Sequence, residues 1–159
     1  DRIIFIYNLS VGTHPDTWLS VEKSKTNGNV SHYGERLIFI EDDFRNTLRI
    51  LINEFDSFED DLGIKIGTFA DVFHFAAIVG GRAMIDGDPM MVALDLSIDA
   101  EFFYWITRHK PGRVLYPSSS AAYPVSKQTE SNTIQLKESD IDFNISTTTS
   151  HLSHAPCKI

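Results

Sequence analysis

Short unbroken apolar runs punctuate this chain, with longer amphipathic stretches between them. Arg2-Ile-Ile-Phe-Ile-Tyr7 is a run of strand length without polar alternation. That is the pattern of a strand covered on both faces, as in parallel sheets. Arg36-Leu-Ile-Phe-Ile40 and Asp71-Val-Phe-His-Phe75 read the same way. So does the run through Val114, Leu115 and Tyr116, whose β-branched and aromatic side chains suit a packed, pleated surface. Pro117 has no N–H to give to a ladder and ends that run. Four strands are therefore expected, at 2–7, 36–40, 71–75 and 112–117.

The intervening stretches carry helical periods. Asp16 is placed to cap a short helix through Trp18, Leu19 and Val21. Lys25-Thr-Asn-Gly-Asn29 reads as a polar connection. From Glu41-Asp-Asp-Phe-Arg45 onward, Phe44, Leu48, Leu51, Ile52 and Phe55 fall on one helical face. The acidic residues there sit at the positive end of the macrodipole. The acidic, glycine-broken segment from Ser57 to Gly67 reads as a surface loop. Asp88-Pro89 starts a long helix, with a capping side chain and proline at the first helical position. Its core stripe is Met91, Leu94, Ile98, Phe102, Trp105 and Ile106, widened by Phe103 and Tyr104, and Lys110-Pro-Gly112 stops it. Strands joined through helical connections make an α/β domain with a parallel sheet. Beyond Lys127 the chain turns polar, and residues 144–159 are expected to form an irregular or disordered tail.

Composition narrows the classes. With 159 residues, 42% of them apolar, the chain suffices for one domain with a buried core. A net charge of −8 leaves no basic stripe to meet phosphates, which argues against a nucleic-acid or anionic-membrane surface. No apolar run reaches membrane-spanning length, and no signal-peptide pattern precedes the first strand. The single cysteine, Cys157, leaves no internal disulfide and fits a reducing compartment. A cytoplasmic location is therefore expected. His151, His154 and Cys157 offer only three ligands in the polar tail and match no closed zinc site, so no metal is expected.

Candidate chemistry gathers at the strand ends. The run ending at Tyr116 gives way to Ser118-Ser-Ser-Ala-Ala-Tyr-Pro124, and the carboxyl ends of strands are where open α/β sheets bind ligands. Ala76 and Ala77 follow another strand, where small residues let a ligand or backbone come close. Asn8-Leu-Ser10 and Asp43-Phe44 follow the other two. Taken along the chain, Asn8-Leu-Ser10, Asp43-Phe44, His74-Phe-Ala-Ala77 and Ser118-Ser-Ser-Ala-Ala-Tyr-Pro124, each at a strand end, resemble the NAD(P)-binding domain of extended short-chain dehydrogenases/reductases, in particular the nucleotide-sugar epimerase and dehydratase group. The resemblance spans residues 2–143. It implies a partial Rossmann-like parallel sheet with flanking helices over residues 1–143, its first strand and glycine-rich turn missing.

The family transfers a hydride between a sugar carbon and nicotinamide. The resemblance thus implies NAD as cofactor, a nucleotide sugar as substrate and a homodimeric parent. Asn8 and Ser10 would lie near the adenosine ribose and phosphates. Asp43 and Phe44 would flank adenine, the carboxylate accepting from its amino group. Phe75, Ala76, Ala77 and Ile78 would run beside the dinucleotide, and Asp95 stands where relatives carry an asparagine facing that loop. Ser118 would contact the nicotinamide side. Ser120 matches the catalytic serine or threonine that hydrogen-bonds the reacting hydroxyl, while a tyrosine takes its proton and a lysine four residues later lowers the tyrosine's pKa. Plainer readings stand beside these. Asp43 is also a helix N-terminal acid, His74 a satisfied core histidine, and the Phe102 and Trp105 stripe ordinary core.

The chain departs from the family at four places. It has no Gly-x-x-Gly-x-x-Gly turn to hold a pyrophosphate at a helix N-terminus. Tyr7 stands at the position of the ribose-binding carboxylate, and a phenol is not a bidentate acceptor. Tyr123 and Lys127 have the spacing of the catalytic pair but lie in the serine loop, three residues past Ser120. The stretch after Phe143, where relatives carry that pair, has no tyrosine, and the substrate lobe is absent. The expectation is an inactive fragment of an epimerase or dehydratase. The alternative is a non-catalytic truncated isoform that binds a dinucleotide or a protein partner. The missing strand would lie between 2–7 and 71–75, so these two either pair directly or keep unpaired edges.

Overall fold

The computed structural model describes residues 2–78, 87–118, 123–124, 127 and 134–141. Ser120, Gly80, Gly81 and the expected tail at 144–159, with its His151, His154 and Cys157, lie outside the described residues. The described part is mixed α/β, with three helices, a mixed four-stranded sheet and a small parallel sheet. It divides into two compact units, the first from Asp1–Val72 with Glu101–Arg113 and the second from Phe73–Ala100 with Val114–Ile159.

The first unit holds β1 (Ile3–Ile6), β2 (Lys23–Asn27), β3 (Val30–Tyr33) and β4 (Leu37–Ile40) in the order β1-β4-β3-β2. β1 runs parallel to β4, with Ile3 opposite Leu37 and Ile6 opposite Ile40. β3 is antiparallel to β4, and β2 to β3. The expectation of a wholly parallel sheet is thus corrected. A β-hairpin stands where Lys25 to Asn29 read as a connection. Gly28 takes φ +57° at the first of its two loop positions, as a II′ hairpin turn requires. β2 is exposed at all five positions. It has no apolar face and hence no period to read, and its lysines suit an edge strand.

β4 lies between two neighbours, and Ile38, Phe39 and Ile40 are at most 3% exposed. β1 has the same composition but one neighbour, and its residues alternate between exposed and half-buried. The expectation that it is covered on both faces is corrected. The same holds for β5 (Asp71–Phe73) and β6 (Arg113–Leu115), which pair with each other as the small sheet. Every residue of β6 is exposed. β1 and β5 each stand at the edge of a separate sheet and do not pair.

Helix α1 (Phe44–Asn53) is capped by Asp43, whose side chain accepts the Arg45 N–H, and it buries Thr47, Leu48 and Leu51. The expected face running on to Phe55 is cut at Glu54, where φ −139° leaves the helical region. A second helix, α2 (Phe55–Leu62), begins at once and corrects the first part, 57–62, of the loop expected from Ser57 to Gly67, leaving 63–67 as a connection. Phe58, Glu59 and Leu62 are buried, and Gly63 closes the helix at φ +65°. The acidic segment folds because Glu59 has partners. Its carboxylate accepts from Ile66 N at 2.6 Å and pairs with Lys65 Nζ at 2.8 Å. The expected helix at 16–21 is a 3-10 turn at Pro15–Thr17. There His14 Nδ1 accepts the Asp16 N–H, so Asp16 is not the cap. The Asp16 carboxylate is instead engaged by the Tyr33 hydroxyl at 2.5 Å and Lys23 Nζ at 2.6 Å.

Helix α3 (Pro89–His109) starts in the second unit and enters the first at Glu101. Asp88 Oδ1 accepts the Met90 N–H at 3.1 Å, as its capping position predicts. The buried positions are Val92, Asp95, Asp99, Phe102 and Trp105. Leu94 is exposed, so the expected all-apolar stripe is corrected in its first half. In the first unit, Phe102 meets Phe44 at 6.1 Å and Trp105 meets Phe69 at 5.6 Å.

Candidate functional site

In the first unit, the parallel pairing of β1 and β4 brings their carboxyl ends side by side, with Tyr7 N donating to Ile40 O at 3.1 Å. Asn8 and Ser10 follow β1, and the Ser10 N–H donates to Asn8 Oδ1 at 3.1 Å, a local turn that folds the amide back on its own loop. Leu9 between them takes φ +56°, a conformation that costs a non-glycine residue free energy. The Tyr7 hydroxyl accepts from Gly12 N at 2.6 Å. A Cβ at Gly12 would lie 2.8 Å from that oxygen, so the loop closes tightly over the phenol.

Asp43 and Phe44 follow β4. Besides capping α1, Asp43 binds the Arg45 guanidinium through both oxygens, at 3.0 and 2.6 Å. The hydrogen bond from Arg45 holds the Asp43 carboxyl below its usual range, against the opposing effect of burial. Much of its acceptor capacity is therefore committed within α1. The Phe44 ring is half-buried beside Phe102.

The second unit gathers the remaining described candidates. Phe75, Ala76, Ala77 and Ile78 follow β5, and Ser118 follows β6. Between the strand ends and α3 lies a buried polar cluster. His74 Nε2 stands 3.0 Å from Asp99 Oδ1, and the Tyr116 O–H donates to Asp99 Oδ2 at 2.7 Å. The His74 and Tyr116 rings stack at 5.5 Å. Asp95, 1% exposed, accepts the Ile78 N–H at 2.7 Å. His74 is 4% exposed and is bonded through Nε2 within this cluster, as an interior histidine. Phe75 is 67% exposed and stacks on Phe73 at 6.3 Å. Neither Asp99 nor Tyr116 was singled out by motif. The available signal was spacing, since Asp95 and Asp99 lie one turn apart between Val92 and Phe102 on a single helix face.

Lys127 donates to Asp140 Oδ1 at 2.6 Å, and this bond holds the Asp140 carboxyl below its usual value. That commits the lysine of the Tyr123 and Lys127 spacing to an ion pair. Among the described residues no three His, Cys, Asp or Glu side chains come together as a metal set, and no helix is long and apolar enough to cross a membrane.

The chemistry of these residues fits a dinucleotide in part. Strand ends carry small side chains at Ala76 and Ala77, and polar side chains at Asn8, Ser10 and Ser118. A ring of backbone amides for a pyrophosphate, of the kind a glycine-rich turn makes, is not present among the described residues. Comparison with family models, with curated proteins and with solved structures finds no match to this chain.

Proposed function

We propose that this chain is the dinucleotide-binding part of an NAD-dependent nucleotide-sugar epimerase or dehydratase with a Rossmann-like sheet, working in the cytoplasm. One observation carries the reading. Every described candidate except Asp95 follows the carboxyl end of a strand in a parallel pair, β1 with β4 or β5 with β6. That is the edge where parallel sheets hold ligands. Asp95 supports it from α3 by fixing the Ile78 N–H. NAD, when bound, supplies the hydride acceptor. Asn8, Ser10, Asp43 and Phe44 are the adenosine-side candidates of the first unit, and Phe75 to Ile78 with Ser118 are the nicotinamide-side candidates of the second. Turnover is not assigned to this chain alone, because Lys127 is held by Asp140.

Calorimetry and thermal shift of the chain with NAD test the reading. Binding heat and a raised Tm are expected at millimolar NAD, weak because no preorganised anion cradle contributes. No heat and no shift at that concentration overturns it. A second reading, a module that binds a protein partner, is favoured by apolar side chains left open on edge strands and just beyond β5. Ile3, Phe73 and Phe75 are 61%, 63% and 67% exposed. Sedimentation with a full-length epimerase of this type should then show a complex, and separate boundaries would dismiss it.

A further inference from the structure

The two strand ends of the second unit converge on one side chain. Asp99 is 4% exposed on the buried face of α3. Its two oxygens hold His74, which leaves β5, and Tyr116, which leaves β6. The rings of those two residues stack with 15° between their planes, so neither turns without disturbing the other. His74 directly precedes Phe75, and Tyr116 stands two residues before Ser118. Burying a carboxylate is costly unless it is well bonded, and an apolar residue at such a place often stabilises a fold as well or better. What the carboxylate adds is direction. Each of its two oxygens bonds a different residue, so one side chain fixes both partners at once.

We propose that Asp99 is a positioning residue. Acting through His74 and Tyr116, it sets the Phe75–Ile78 loop and Ser118 in register for the nicotinamide half of a dinucleotide. This rests on the dinucleotide-binding reading above. A ligand that lacks the nicotinamide half, such as AMP, is then indifferent to Asp99.

Two substitutions in the full chain separate this role from plain core stability. Asp99→Asn keeps the shape and replaces one of the two carboxyl oxygens with an amide nitrogen. Tyr116→Phe keeps the ring stack and removes only the hydroxyl. Calorimetry with NAD and with AMP gives the ligand split, and amide hydrogen exchange gives the local one. Each variant should weaken NAD about tenfold, the scale of one hydrogen bond to a charged group, and leave AMP within about twofold. Exchange should quicken at Phe75 to Ile78 and stay unchanged at Ile38 to Ile40. Equal loss of NAD and AMP, or exchange raised alike at both segments, would make Asp99 a stability residue and overturn the proposal. So would NAD affinity unchanged in both variants. If the unsubstituted chain binds no NAD, the dinucleotide reading fails by itself. The exchange pattern then decides the positioning role, which stands on selective loosening of 75–78 and falls without it.

Discussion

Gly112→Ala should destabilise the chain, although the same substitution at an unconstrained site does the opposite. A Cβ at Gly112 would lie 2.7 Å from the Ala70 carbonyl oxygen, inside the 3.0 Å that real Cβ atoms essentially never cross. That oxygen is backbone and already accepts the Arg113 N–H at 2.8 Å, while Gly112 N donates to Phe69 O at 2.9 Å. Relieving the clash means prying β6 from β5 at these two bonds. At roughly 0.5–1.5 kcal/mol each, their loss costs about 1–3 kcal/mol. Alanine returns about 0.4–1 kcal/mol by restricting the unfolded chain, so the net loss centres on about 1.3 kcal/mol. With a urea m-value on the order of 2 kcal/mol/M, the midpoint should fall by about 0.5–1 M. Gly87→Ala is the control, because a Cβ there meets nothing within 4 Å and no positive φ is present. Its midpoint should hold or rise. If Gly112→Ala also holds or rises, the close approach of 112 to 70 is not a feature of the folded protein.

Asp43→Ala should cost about 0.5–2 kcal/mol by removing the α1 cap, and Asp43→Ser should recover most of it. If serine restores stability but not NAD affinity, the carboxylate acts on the ligand as well as on the helix, whereas joint recovery assigns it to the cap. Tyr33 is pushed up to about 12, first by burial and then by its bond to Asp16. Its folded pKa is above the ordinary 10.0, so the stability it contributes is intact below pH 10 and lost as pH rises toward about 12. Urea midpoints across that range should fall, and more gently in Tyr33→Phe. Equal slopes would dismiss the contact with Asp16. Leu48→Ala, at a side chain 1% exposed, should cost about 2–5 kcal/mol by leaving a cavity. A change below about 1 kcal/mol in the same assay would mean that α1 does not pack as described.

The legible part of the fold was the part with a strong local signal. Strands β1, β4, β5 and β6 lie inside the runs expected at 2–7, 36–40, 71–75 and 112–117. Their β-branched and aromatic content fits a pleated, packed surface. The Asp88 cap and the long helix behind it were legible for the same reason, since capping is a contact within one turn. What failed had no such signal or a misleading one. β2 has no buried face, and α2 hides a regular apolar spacing under five acidic residues across Glu54 to Asp61. Glu59 overturns the surface reading because Lys65, Ile66 and Gly67 fold back onto it.

By itself, then, the order of residues determined the caps of α1 and α3, the strand-forming runs of β1, β4, β5 and β6, and the placing of polar and small residues just after those runs. Each depends on contacts a few residues apart. Tertiary structure decided the rest. It made β4 interior and β1 an edge, although their side chains are nearly the same, because burial depends on how many strands come alongside. It turned Asp95 and Asp99 inward, because Ile78, His74 and Tyr116 arrive from distant parts of the chain to meet them. It also gave the stop after α3 two separate owners. Lys110 takes the left-handed turn at φ +43°, and Gly112 is needed where β6 comes against the carbonyl of Ala70.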